Sequence, residues 1–306
     1  MGPDVLVADV GGTNTRLSRA GPGGWLEDIA RFANDDHPSF DAVLERYLSA
    51  HAGPFAACCI AIAGPITPER ASLTNRDWTI DRAAISARLN APVRLVNDLA
   101  ALGHALPGLG AEQTEVLRPA SGAGTRNGQA LVAGLGTGFN VCLAKTTSEG
   151  LVVVEAELGH ASLPISVYEA LEEALGDKAA CFPSVEHLFS GRGLTQLHRA
   201  LTGESDREAG QIVAEAPDTV RLAARLTGLL ARQLVFQYMP LDGIHFAGSV
   251  GRGILGPVGR DAFLSAAERG DGAYSEIVSR VPLGLITDDA AALTGLARLA
   301  LTLARR

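Results

Sequence analysis

The stretch Asp4-Val-Leu-Val-Ala-Asp-Val-Gly-Gly-Thr-Asn-Thr-Arg-Leu17 decides how this chain reads, because an apolar run meets Gly11-Gly12-Thr13-Asn14 and then resumes an extended pattern. Val5, Leu6, Val7, Ala8 and Val10 suit a buried strand, the two glycines permit a tight turn with φ > 0, and Thr15 to Leu17 begin a return strand. Glycine serves a second purpose here. Without a Cβ, backbone N–H groups approach an anion closely, and the Thr13 and Asn14 side chains add neutral donors. Asp9 stands just before the turn, where a carboxylate beside phosphate makes chemical sense if a cation such as Mg2+ lies between them. An ordinary Gly-Gly hairpin fits the same residues, and this stretch alone does not separate the two readings.

The rest of the chain bounds the answer. With 306 residues the chain suits two domains, each able to bury a core. No apolar run approaches the ~20 residues that span a bilayer, and no export signal is visible at the N-terminus, so the expected location is cytoplasmic. The formal net charge of −8 argues against a nucleic-acid partner; an anionic nucleotide must be held by local N–H groups and metal. Cys58, Cys59, Cys142 and Cys181 show no CxxC spacing and read as reduced thiols, three of them in strand-like runs.

Strands and helices alternate along the chain, which fixes an α/β class. Residues 55–63 form a continuous apolar run, as in a strand covered on both faces. Val93 to Val96 lead directly into Asn97-Asp98 and a helix with Leu99, Leu102 and Leu106, placing both polar residues at the carboxyl end of a strand, where ligands bind in open α/β sheets. After a loop at 119–128 the opening theme returns as a second strand, Gly134-Leu-Gly136-Thr137-Gly138 turn and strand, a weak internal duplication. A third Gly-rich strand end follows at 248–253. A long helix carries Leu222, Leu226, Leu229, Leu230 and Leu234, with Arg221, Arg225 and Arg232 marking it as a core helix and not a membrane span.

Three Gly-rich strand ends in one chain point to a nucleotide. Asp9-Val-Gly-Gly-Thr-Asn14, Gly134-Leu-Gly-Thr-Gly138 and Ala247-Gly-Ser-Val-Gly251 resemble the first phosphate, second phosphate and adenosine motifs of bacterial glucokinases, in the hexokinase and actin superfamily. Val96-Asn97-Asp98, Glu157-Leu-Gly-His160 and Glu186 within Val185 to Gly191 are similar to that family's sugar-binding positions. The resemblance covers nearly the whole chain and implies a two-domain, ribonuclease H-like α/β fold with a ligand cleft between domains. It places 1–109 with 290–306 in a small domain and 110–289 in a large one. It also implies ATP and Mg2+ as cofactors, a sugar substrate and a homodimer. Asp98 is then the base that takes the proton of a sugar hydroxyl, with Asn97, Glu157, His160, Glu186 and Asn75 as hydroxyl partners. Asp9, Gly11, Gly12, Thr13, Asn14, Gly136, Thr137, Gly138, Gly248 and Ser249 face the nucleotide, with Asp9 nearest the metal.

Each assignment has a plainer counterpart. Asp98 also suits the N-cap of the following helix, His160 a structural histidine beside a glycine, Glu186 a first-turn carboxylate and Asn75 an ordinary turn. The chain departs from the family pattern at Phe139-Asn140, Leu158 and Ser249, each adding a side chain beside a ligand loop. The expected activity is ATP-dependent phosphorylation of glucose at its 6-hydroxyl. The alternatives are a kinase for another hexose, such as fructose or mannose, and a non-catalytic sugar or nucleotide sensor.

Overall fold

The computed structural model of the chain describes residues 4–51, 53–121, 126–268 and 274–305. Part of the loop expected at 119–128, and residues 1–3 and 306 of the expected small domain, lie outside the described residues. The chain divides into two compact units, Met1–Gly110 with Asp288–Arg306, and Ala111–Thr287.

The first unit is built on strands β1 (Asp4–Val10), β2 (Asn14–Ala20), β3 (Leu26–Ala33), β4 (Phe55–Ile62) and β7 (Val93–Asn97), in the order β3-β2-β1-β4-β7. The first three form an antiparallel meander; β4 and β7 then join parallel to β1. Two short strands, β5 (Arg70–Ser72) and β6 (Thr79–Asp81), pair as a separate ribbon. That ribbon occupies what the sequence shows only as a polar segment, since three-residue strands carry too few alternations to register as a pattern.

Burial of both faces explains the unbroken apolar runs of β1 and β4. Leu6, Ala8 and Val10 share a core with Phe40, Val43, Leu44 and Tyr47 of the helix Phe40–Ala50. Val5 and Val7 point the other way, into a core with Leu293, Leu296 and Ala297 of the terminal helix Ala291–Leu303. That helix sits tightly on the helix Asp98–Ala105: a Cβ on Gly295 would stand 1.9 Å from the Ala101 carbonyl oxygen.

The second unit carries strands β8 (Thr114–Arg118), β9 (Gln129–Leu135), β10 (Phe139–Thr147), β11 (Gly150–Glu155), β12 (Gly243–Ala247) and β13 (Leu283–Ile286), ordered β11-β10-β9-β12-β13-β8. Five of these repeat the first sheet's plan, an antiparallel meander β9-β10-β11 followed by two parallel strands, with β8 added antiparallel at the edge. The duplication hinted at by the glycine turns is therefore a repeat of strand order. Leu226, Leu230 and Leu234 of the helix Pro217–Tyr238 bury against the sheet residues Leu131, Ala133, Ile244 and Phe246. No described helix is long and apolar enough to cross a membrane. Cys58, Cys59 and Cys142 are buried as reduced thiols and Cys181 is exposed.

Candidate active site

In the first unit the turn between β1 and β2 is closed by Gly11 N–H donating to the Asn14 carbonyl at 3.0 Å. Neither Gly11 nor Gly12 takes the positive φ expected of them. Space is what Gly11 provides: a Cβ there would meet the Asn14 carbonyl at 3.2 Å, whereas one on Gly12 would stand in ordinary contact, 3.6 Å from Asn75 Nδ2. The hairpin is open toward Asn75, which the loop between β5 and β6 carries on the surface. Thr13 is exposed, and the Asn14 side-chain oxygen accepts from Arg31 Nε at 3.1 Å.

What holds this turn is Asn34, which no sequence motif singles out. It is fully buried. Its Nδ2 donates to the Gly11 carbonyl at 2.8 Å, its Oδ1 accepts from Thr15 Oγ1 at 2.8 Å, and its backbone N–H donates to the Thr13 carbonyl at 2.9 Å. One residue thus fixes two carbonyls of the four-residue turn and the hydroxyl of Thr15 just beyond it. Its own carbonyl accepts from Arg76 at 3.3 Å, tying the hairpin to the residue after Asn75. Arg76 in turn pairs with Asp35 and lies over the Trp78 ring.

Asp9 faces Arg16 across the β1–β2 ladder, and their side chains pair at 3.3 Å. Arg16 also reaches Asp289 at 3.6 Å. Burial raises the Asp9 carboxyl above the ordinary Asp range, and the Arg16 guanidinium works against that shift. No group of three or more metal-ligating side chains exists among the described residues. A single carboxylate suits Mg2+, which keeps several waters and takes one or two carboxylates together with substrate phosphates.

Asn97 ends β7 and caps the next helix, its Oδ1 accepting from Leu99 N–H at 2.9 Å. The capping role open to Asp98 from the sequence belongs to Asn97. Asp98 is instead the first helical residue, with its Oδ1 accepting from the same N–H at 2.8 Å. A carboxylate in the first turn is favoured by the helix dipole, and both residues stand at the carboxyl end of a parallel strand.

In the second unit the turn between β9 and β10 is closed by Gly136 N–H donating to the Gly138 carbonyl at 3.0 Å, while the Gly136 carbonyl accepts from Gly191 N–H at 2.8 Å. Thr137 is exposed at the tip. Gly248 has φ +94°, and a Cβ there would stand 2.2 Å from the Leu135 carbonyl oxygen, so only glycine lets the end of β12 approach the end of β9. Ser249, exposed, opens the short helix Ser249–Ile254. The second and third Gly-rich strand ends therefore meet on neighbouring strands.

Glu186 lies over the same turn. Its Oε2 accepts from Phe139 N–H at 3.3 Å, its Oε1 accepts from Arg192 at 3.1 Å, and a Cβ on Gly138 would meet Oε2 at 2.7 Å. Glu157 precedes a single 3-10 turn, Leu158–His160, that His160 closes, and both are exposed. Gly159 within it packs so closely that a Cβ would stand 2.3 Å from the Phe139 carbonyl and 3.3 Å from Glu186 Cβ. The structure thus gathers Glu157, His160 and Glu186 around Gly159 in this unit, and Asp9, Asn75 and the hairpin in the other, which also carries Asn97 and Asp98. Arg192 and Asn140 as partners of Glu186 and Glu157 escaped the sequence reading, because hydrogen bonds between residues 6 to 17 positions apart leave no periodic trace.

The sequence profile of the glucokinase family matches residues 6–303. Among similar proteins, a glucokinase of Tolumonas auensis is 28% identical over 316 residues, covering 96% of this chain and 96% of its own. The solved structure of a glucokinase from an Antarctic psychrotroph superposes with a TM-score of 0.82 at 25% identity, covering 98% of this chain and 99% of its own. A glucokinase from Streptomyces griseus, solved in complex with glucose and AMPPNP, shares the fold with a TM-score of 0.65 at 20% identity, covering 97% of this chain and 99% of its own.

Proposed function

We propose, from the premise that this chain belongs to the glucokinase family and so phosphorylates glucose at the expense of ATP, that Asp98 is the base of the transfer. In this reading the Asp98 carboxylate takes the proton of the glucose 6-hydroxyl as that oxygen attacks the γ-phosphorus of ATP, and ADP leaves. The observation that carries the assignment is the junction at the end of β7. Asp98 sits in the first helical turn at the carboxyl end of a parallel strand, and it shares the Leu99 N–H with the Asn97 cap, so the helix start sets the orientation of its carboxylate.

The remaining roles follow from chemistry. Glu157, His160, Glu186, Asn97 and Asn75 offer carboxylate, imidazole and amide groups to sugar hydroxyls, the combination that rejects analogues lacking a hydroxyl. Backbone N–H groups at Gly11 to Asn14 and Gly136 to Gly138 are assigned to phosphate oxygens, and Gly248 and Ser249 to the nucleoside side. In support, the Streptomyces griseus protein was crystallised with an ATP analogue and glucose. Mg2+ held near Asp9 supplies charge neutralisation at the phosphates. Exclusion of water from the reacting centre keeps water from competing as acceptor. Cytoplasmic location and a homodimer, which sedimentation measures, complete the reading by analogy with the family. The family match does not favour the alternatives of another hexose or a silent sensor.

Asp98→Ala tests the base. Turnover measured by coupled ADP release falls by about 10²–10⁴-fold, the usual share of a positioned base, while calorimetry still detects glucose binding. Near-native turnover overturns the role.

A further inference from the structure

We infer that Asn140 is a positioning residue for the sugar, holding the Glu157 carboxylate and the 158–160 turn in one geometry before glucose arrives. The inference rests on the reading of Glu157 as a hydroxyl partner given above. Asn140 is the second residue of β10, separated from the glycine turn at 136–138 only by Phe139. Its amide is used at both ends. Nδ2 donates to Glu157 Oε2 at 3.1 Å, and Oδ1 accepts from Leu158 N–H at 3.0 Å and from its own neighbour Val141 N–H at 2.8 Å.

The geometry is specific to what Glu157 lacks on its own. Glu157 is exposed and precedes a turn of only three residues, so its backbone and its three side-chain torsions have little local support. The bond to Leu158 N–H fixes the backbone immediately after Glu157, and the bond to Oε2 fixes the carboxylate itself. Leu158 adds a third restraint by packing its partly buried side chain against the core of the unit. The turn cannot drift on its other side, because Gly159 rests against the Phe139 carbonyl. His160 rides on the same turn, its N–H donating to the Glu157 carbonyl at 3.2 Å. One amide therefore orients two of the sugar's assigned partners.

A group held in its bound geometry spares the ordering cost that binding otherwise meets. Removing the tether should weaken glucose by about threefold to tenfold, the cost of ordering one rotamer-rich side chain. Asn140→Ala, assayed by steady-state kinetics, is expected to raise KM for glucose by that factor and leave KM for ATP within twofold. Asn140→Asp keeps an acceptor for Leu158 N–H but sets a carboxylate against Glu157. It should raise glucose KM further than Asn140→Ala while its thermal midpoint stays near that of the unmodified protein. In a Glu157→Ala background, where no carboxylate remains to be held, Asn140→Ala should raise glucose KM by less than it does in the unmodified protein. Unchanged glucose KM in both Asn140 variants, equal rises in glucose and ATP KM, or full additivity with Glu157→Ala each overturn the proposal. Absence of glucose-dependent ADP release from the unmodified protein is a different result, and it overturns the kinase reading and this inference together.

Discussion

Asn34 shows how far a single side chain governs a loop whose sequence looks self-sufficient. The Gly-Gly-Thr-Asn turn has no left-handed residue to lock it, and its geometry is enforced from outside by three hydrogen bonds from one fully buried amide and its backbone. Replacing Asn34 with Leu keeps the branched outline of the side chain but takes the partner from the part-buried Gly11 carbonyl and the buried Thr15 hydroxyl. Each buried polar group left without a partner costs about 1–3 kcal/mol. We expect the Asn34→Leu thermal midpoint to fall clearly and KM for ATP to rise more than KM for glucose. Equal rises in both would mean that Asn34 supports the unit in general and not the hairpin. The Arg16–Asp9 pair has a comparable local logic. A buried carboxylate with raised proton affinity is kept from standing alone by the cation opposite it on the next strand.

Strands and their turns were the legible part of this molecule. Val, Ile, Leu, Ala and Cys runs announced β1 and β4, and Gly-rich clusters marked where β1, β9 and β12 stop. The φ > 0 expected of Gly11 and Gly12 occurs instead at Gly248, where φ is +94° and a Cβ would stand 2.2 Å from the Leu135 carbonyl oxygen, while Gly11 supplies clearance. Gly248→Ala should therefore cost about 1–3 kcal/mol in backbone strain alone, and separating β12 from β9 at that point should depress ATP affinity. Calorimetric titration with a non-hydrolysable ATP analogue measures this, and an unchanged affinity would remove Gly248 from the nucleotide site. The short elements stayed hidden: β5, β6 and the 158–160 turn are three residues each and hold together through tertiary hydrogen bonds. The identity of candidate site residues was readable from motifs, whereas their partners, Asn140 for Glu157 and Arg192 for Glu186, depended on folding.

The first unit is assembled from the two ends of the chain, with Val5, Val7, Ala57, Cys59 and Ala61 covered by Leu293, Leu296 and Ala297 from the terminal helix. The second unit is continuous, from residue 111 to 287. Cys59 reports on that cover. Burial pushes its thiol pKa up to about 12, so it should resist a maleimide probe in the folded protein. Leu296→Ala, at a fully buried position, should cost about 2–5 kcal/mol. It should also make Cys59 label before Cys142, which lies in the other unit and shares none of that core. Simultaneous labelling of both cysteines would show that the two units lose structure together.

The split has a consequence for how the protein is made. A ribosome releases residues 1–110 long before residues 288–306, so the first sheet must wait with one apolar face bare while the continuous unit is synthesised and able to fold. During that interval the nascent chain presents Val5, Val7, Cys59 and Ala61 to any binder of exposed apolar strands. The helix Ala291–Leu303 ends this exposure once it has emerged.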